Sequence, residues 1–148
     1  MQYGYTRIST SKQNIERQVR NILASYPAAH IVREVFTGTK IQSRKELDKL
    51  LKRIQPGDTI IFDSVSRMSR NAAEGFELYQ ELYNKDVELV FLKEPHISTS
   101  TYKKALENNL ELTGTNLDFI LDGVNKYLMA LAKEQIRLAF EQAQEEGD

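Results

Sequence analysis

The chain has no cysteine, which excludes disulfides and thiolate chemistry. No stretch reaches the roughly 18 consecutive apolar residues of a membrane-crossing helix. The amino end enters a strand almost at once and shows no signal-peptide pattern, so the cytoplasm is the expected location. Internal repeats and low-complexity tracts are missing too. Charge of one sign is not in excess: 20 Lys and Arg face 21 Asp and Glu, a net charge of −1. That balance gives the chain little hold on a polyanion. What is present is ordinary for one globular domain: 148 residues, 41% hydrophobic and 28% charged, enough for a single core.

Hydrophobic periodicity divides the chain into alternating elements. Residues 3–8 read as a strand, followed by a helix with Ile15, Val19, Ile22, Leu23 and Tyr26 at three- and four-residue intervals. His30–Thr37 predicts a second strand, and Arg44–Ile54 a helix facing inward through Leu47, Leu50, Leu51 and Ile54. Thr59–Phe62, an apolar run between Asp58 and Asp63, fits a strand buried on both faces. Asn71–Lys85 predicts a third helix, with Ala72, Phe76, Tyr79 and Leu82 or Tyr83 inward, and Val87–Leu92 a fourth strand. Strands alternating with helices imply an α/β fold, a mostly parallel sheet of four or five strands with helices on both faces.

Beyond Pro95 the pattern changes. A short helix is expected near Tyr102–Leu110, then one long helix from Asn116 to the end. Its apolar stripe runs through Leu121, Val124, Leu128, Leu131 or Ala132, Gln135 or Ile136, Ala139 and Ala143. Ile120, Tyr127, Met129 and Phe140 widen that stripe beyond what one neighbour covers. The expectation is a helix that meets its own domain on one side and a second copy on the other. Residues 1–100 then form the core and 101–148 the dimerisation segment.

The chemistry centres on residues 3–18. Alternation along a strand sends Arg7 and Ser9 to the same side, at the carboxyl end of the first strand. Ligands of open α/β sheets bind outside those ends. A serine hydroxyl is a weak nucleophile until its target's charge is stabilised. A guanidinium stays charged and matches phosphate oxygens, so this pair suggests attack on a phosphoryl group. The residues alone leave a second reading open, in which Ser9, Thr10 and Ser11 cap the first helix. Arg44 at the second helix, with Arg67 and Arg70 at the loop after the third strand, falls at the same sheet end. Cations at a helix amino terminus oppose the macrodipole, so their placement against local preference suggests an anion site.

Tyr5-x-Arg7-x-Ser9-Thr10, with Gln13 and Gln18 following, resembles the opening signature of the serine recombinases, the resolvase/invertase family. Ser66-Arg67-Met68-Ser69-Arg70 resembles its Asp-Arg-Leu-x-Arg motif, and Ser43-Arg44-Lys45-x-Leu47 its arginine-centred motif before the second helix. The likeness is strong over roughly residues 2–93. It implies a nucleophilic Ser9 that joins the 5′ end of cut DNA, with Arg7, Arg44, Arg67 and Arg70 binding the scissile phosphate and stabilising its transition state. It assigns Tyr5, Gln13 and Gln18 to phosphate contact or to orienting the loop. It implies strand exchange in a tetramer built from dimers, with no ATP, metal or other cofactor. Active sites of this kind are held off until synapsis, so an isolated dimer is expected to have Ser9 and its arginines poorly assembled.

Two departures stand out. Ser66 occupies a place where the family often has Asp, and another such Asp is missing near Gly38. No general base is then visible, and Asp63 is the nearest substitute. Glu134-Gln135 lacks the arginine of the family's Glu-Arg pair on the long helix. The neutral balance fits a family whose members carry a separate DNA-binding domain after the catalytic one; such a domain is expected and is not in this chain. The departures also motivate a rival, a resolvase-fold binding or regulatory module that no longer cuts. An unrelated α/β phosphotransferase is disfavoured by the missing Gly-x-x-x-x-Gly-Lys loop. His30 and His96 lack ligand-spaced partners, so no metal is expected.

Overall fold

The computed structural model describes residues 1–8, 15–35, 44–113 and 118–145, and side chains in these segments except at 109–113 and 118–120. Four strands, β1 (Gln2–Ile8), β2 (His30–Val35), β3 (Thr59–Phe62) and β4 (Glu88–Phe91), form one sheet in the order β2-β1-β3-β4. Every pairing is parallel. Helices α1 (Ile15–Ser25), α2 (Lys45–Arg53) and α3 (Ala72–Asn84) supply the crossovers, and α4 (Thr99–Thr113) and α5 (Asp118–Glu145) follow. The α/β reading holds, with four strands among the described residues.

The path from β1 to β2 and the path from β2 to β3 step in opposite directions along the sheet. Right-handed crossovers therefore put α1 on one face and α2 on the other. The packing agrees. Gly4 turns toward α1, which lies so close that a Cβ there would stand 2.8 Å from Ile22 Cγ2 and 2.9 Å from Ile31 Cδ1. Tyr3 and Tyr5 turn the opposite way, into the large core under α2, α3 and α5 with Ile60, Phe62, Leu89, Phe91 and Tyr79. Phe62 and Phe91 stack there at 5.2 Å, and Tyr5 meets Phe62 edge-on at 5.8 Å.

The carboxy-terminal third departs from the sequence reading in two ways. The helix expected near Tyr102–Leu110 is a full α-helix from Thr99 to Thr113. Its entry seals the edge of β4: Thr99 Oγ1 accepts from Leu89 N–H at 2.9 Å, and Ser98 Oγ from Phe91 N–H at 3.1 Å. Those side-chain oxygens satisfy edge groups that would otherwise invite another strand. The second departure concerns the wide apolar stripe of α5. Met129 and Phe140 join Leu128, Ala132, Ile136, Ala139 and Ala143 on the buried side, while Tyr127, Leu131 and Leu138 stay exposed. Phe140 reaches α3 at Gly75, whose missing side chain makes room for it.

Candidate phosphate-binding site

The site is built where β1, α2 and the segment after β3 meet. Alternation along β1 puts Arg7 on the side of Tyr3 and Tyr5, at the strand's carboxyl end. Its Nη2 donates to the carbonyl oxygens of Ser66 at 2.6 Å and Ser69 at 3.3 Å. Arg44 precedes α2 and sends Nη1 to the Met68 carbonyl at 2.6 Å. Two guanidinium groups from distant parts of the chain thus grip successive carbonyls of one short segment. That segment opens with a 3-10 turn, Val65–Arg67, which carries the third cation.

The 3-10 turn is itself pinned. Ser64 caps it by accepting from Ser66 N–H at 3.3 Å. Glu94, just past β4, accepts from Ser64 Oγ at 3.0 Å and from Val65 N–H at 2.9 Å. Ser66, at the place where the resembled motif often has Asp, places its Oγ 3.2 Å from Ser64 Oγ.

Arg7, Arg44 and Arg67 share one electrostatic neighbourhood. The Arg7 guanidinium is held below its ordinary pKa, first by burial and then by repulsion from Arg44 and Arg67; Tyr5 and Glu34 act the other way. An arginine stays protonated under such pressure. A bound anion would offset that repulsion, and a guanidinium presents its N–H donors in a fixed fork.

Arg70 is placed differently. The sequence reading puts both Arg67 and Arg70 in the loop before a helix starting at Asn71; Arg67 ends the 3-10 turn, and α3 starts at Ala72 after its cap Asn71. Arg70 is exposed and pairs with Glu74 at 2.7 Å; its guanidinium is raised by that hydrogen bond first and by the same charge second. Asn71 Oδ1 already accepts from Glu74 N–H at 2.9 Å, so the start of α3 is occupied by its own groups.

Tyr5 and Gln18 are both buried and bonded within the protein. Tyr5 is fully buried, with its hydroxyl donating to Glu34 Oε1 at 3.1 Å, and burial pushes its ionisation far up. Gln18 is buried in α1 and bonds to both backbone groups of Arg7. Both hold the strand that carries Arg7. Ser9 and Gln13, and the neighbourhood of Gly38, lie outside the described residues.

Asp63 does not face the arginines. It bonds to Asn21 Nδ2 of α1 at 2.9 Å and lies 3.8 Å from Lys93 Nζ, on the opposite face of the sheet from Tyr5. Among the described residues no group of three His, Cys, Asp or Glu gathers to hold a metal, and no helix is long and apolar enough to cross a membrane.

The sequence reading passed over Glu34. Its buried carboxylate accepts from Tyr5 and, at 3.1 Å each, from the N–H groups of Glu46 and Leu47 at the start of α2. The signal was there: alternation in His-Ile-Val-Arg-Glu-Val turns Val32 and Glu34 to the buried side. A carboxylate at an inward strand position needs partners, and that anomaly marks it.

A parallel sheet ordered 2-1-3-4, a long final helix and arginines converging at the carboxyl end of β1 define a resolvase-type domain. The chain belongs to the family described as "Resolvase, N terminal domain", whose profile matches residues 2–148. It is 32% identical over 102 residues to a resolvase of Clostridium perfringens, covering 68% of this chain and 53% of that protein. To the transposon Tn501 resolvase of Pseudomonas aeruginosa it is 31% identical over 119 residues, 78% of this chain and 60% of that one. To the transposon Tn552 DNA-invertase BinR of Staphylococcus aureus it is 34% identical over 94 residues, 64% and 48% respectively. The chain spans about half the length of the curated relatives it matches. The fold is similar to the crystal structure of a resolvase family site-specific recombinase from Streptococcus pneumoniae, with a TM-score of 0.54, 22% identity, and coverage of 99% of this chain and 96% of that one.

Proposed function

We propose that this chain is the catalytic domain of a serine site-specific recombinase acting on DNA. Ser9 Oγ attacks the phosphorus of a phosphodiester, and the bond from phosphorus to the 3′ oxygen breaks. The leaving oxygen gains a proton as the serine loses one, which gives a 5′-phosphoserine and a free 3′ hydroxyl. Arg7, Arg44 and Arg67 take the charge that builds on the phosphate oxygens, where preorganised donors have their largest effect. Arg70 joins them once it leaves Glu74. After exchange, a 3′ hydroxyl attacks the phosphoserine and reseals the strand. The ester keeps the bond energy, so the cycle needs neither ATP nor metal. The working assembly is a dimer through α5 that pairs into a tetramer on DNA.

The observation that carries this reading is that Arg7 from β1 and Arg44 from the start of α2 both bond to the short segment after β3 that carries Arg67. They converge at the strand end that leads into Ser9. The test uses the complete gene product on a supercoiled plasmid bearing the gene's own flanking DNA. After a detergent quench, a protein adduct on 5′ ends that disappears in Ser9→Ala is the expected result. Footprinted protein on that DNA with no adduct would leave a binding module instead.

A further inference from the structure

A line of three side chains runs through the turn that carries Arg67. Ser66 Oγ donates to Ser64 Oγ at 3.2 Å, and Ser64 Oγ donates to Glu94 Oε2 at 3.0 Å. The other oxygen of the Glu94 carboxylate accepts from Val65 N–H at 2.9 Å, which fixes it against the turn. Ser64 is fully buried, while Ser66 and Glu94 on either side of it are half-buried. Both hydroxyls therefore point one way, toward the carboxylate. Such a chain polarises along its length, which makes the lone pairs of Ser66 Oγ its basic end.

That end lies at the site. Arg7 donates to the carbonyl of Ser66 itself and Arg44 to that of Met68, and Arg7 stands two residues before Ser9. A serine that attacks phosphorus must shed a proton, and arginines that stay protonated cannot take it. Three other carboxylates near the arginines are engaged elsewhere. Asp63 bonds to Asn21 of α1, Glu34 to Tyr5 and the start of α2, and Glu74 to Arg70.

We propose that Ser66, Ser64 and Glu94 form a proton relay for Ser9, in which two hydroxyls extend the reach of a carboxylate into the phosphate site. This rests on the reading that Ser9 attacks a DNA phosphodiester. As Ser9 Oγ bonds to phosphorus, its proton passes to Ser66 Oγ, the Ser66 proton to Ser64 Oγ, and the Ser64 proton to Glu94 Oε2. The bond from phosphorus to the 3′ oxygen breaks with its electron pair on oxygen, and the relay run backwards returns one proton there. Glu94 is neutral only between the two transfers, and no co-reactant is consumed.

The test is single-turnover cleavage of a nicked DNA substrate by the complete gene product, read as the Ser9 adduct. Ser66→Ala removes the end of the relay and leaves the bond from Val65 to Glu94 in place. It slows adduct formation roughly a hundredfold, the lower range for general acid–base catalysis. Glu94→Gln slows it to a similar degree, and the double variant is no slower than either alone, because links of one chain fail together. Ser66→Asp in the Glu94→Gln background sets a carboxylate at the site end and recovers roughly tenfold or more. If Glu94 only braces the turn, Ser66→Ala cleaves at the wild-type rate and Ser66→Asp recovers nothing; either result overturns the relay, and so do additive losses. Should Glu94→Gln fail to fold, the rate of Ser66→Ala decides alone. A wild type that footprints on the DNA yet forms no Ser9 adduct sinks the recombinase reading and the relay together. An adduct formed equally fast by wild type and Ser66→Ala sinks the relay only.

Discussion

The side-chain amide of Gln18 brackets the backbone of Arg7. Its Oε1 accepts from Arg7 N–H at 3.0 Å while its Nε2 donates to Arg7 C=O at 3.0 Å. The amide does for β1 what another strand would do, at the residue where the pairing with β3 has already stopped at Tyr5. Gln18→Ala leaves both backbone groups without this partner. A net loss of about 1 kcal/mol per bond implies destabilisation of about 2–3 kcal/mol in urea unfolding. Gln18→Glu keeps an acceptor for the N–H but sets carboxylate oxygen against the Arg7 carbonyl, so it destabilises at least as much. Wild-type midpoints in both variants would show that the bracket is idle.

Gly75 is where α5 leans on α3. A Cβ there would lie 2.6 Å from Ser69 Oγ, 3.0 Å from Met68 Cε and 3.2 Å from Phe140 Cε2. Ser69 Oγ cannot simply swing away, because it donates to the Asn71 carbonyl at 2.7 Å. Gly75→Ala is therefore expected to destabilise by about 1–3 kcal/mol, the usual range for overpacking. Trimming Phe140 to Leu should recover part of that loss. A double-mutant cycle on urea stability measures the coupling, and strict additivity would mean that the two residues do not press on each other.

Asp86 follows α3 with φ of +60°, in the left-handed region. The turn around it closes the helix: Asp86 N–H donates to Tyr83 O and Val87 N–H to Leu82 O. A side chain is strained there by roughly 1 kcal/mol relative to glycine. The exposed pair with Lys103 at 3.1 Å offsets little of that. Asp86→Gly should raise the thermal midpoint by a few degrees, and Asp86→Ala should lower it. The reverse order would refute the strain argument.

The sheet was legible because its strands are short apolar runs and its helices keep a clear period, so Thr59–Phe62 was placed to the residue. The convergence of Arg7, Arg44 and Arg67 was legible too, since Arg7 lies at the carboxyl end of β1, Arg44 just before α2 and Arg67 in the segment after β3. What escaped were effects of direction and length. The loop after β3 gave no sign that a 3-10 turn carries Arg67 while Arg70 turns out onto Glu74. Polar residues hid the start of α4, because Ser98 and Thr99 are there to seal β4. Asp63 and Glu34 are both buried carboxylates near the site, and only three-dimensional packing shows that one faces α1 and the other α2.

Alkali should weaken the fold through its buried tyrosines. Tyr5 and Tyr79 are pushed well above the ordinary tyrosine range, burial being the first cause for both; the charge of Glu34 adds for Tyr5, and Tyr102 and Tyr83 add for Tyr79. An unfolded tyrosine releases its proton near pH ~10, while these keep theirs. The unfolded state then binds fewer protons, so stability is fully present below that pH and falls as pH rises above it. Each such tyrosine contributes about 1.4 kcal/mol per pH unit to the slope. Urea midpoints should be insensitive to these groups from pH 7 to 9 and drop above 10, less steeply in Tyr5→Phe. An unchanged slope in that variant would mean that Tyr5 ionises freely.

Tyr127, Leu131 and Leu138 are 67%, 40% and 43% exposed on α5. At about 100° per residue the three fall within about 40° of one another, centred about 120° around the helix from Leu128, Ala132, Ile136, Ala139 and Ala143. One face of the helix is thus consumed by its own domain, and the other carries an apolar line along the helix. A second copy laid along the same line is the simplest cover, since an isologous contact uses one patch twice. Sedimentation of the chain should show a concentration-dependent dimer, and Leu131→Glu with Leu138→Glu should shift it to monomer. Because these positions are exposed, thermal stability of the separated variant should stay within about 0.5 kcal/mol of a wild-type monomer. A monomeric wild type at about 100 μM, or a variant that still dimerises, would mean that this face serves something else.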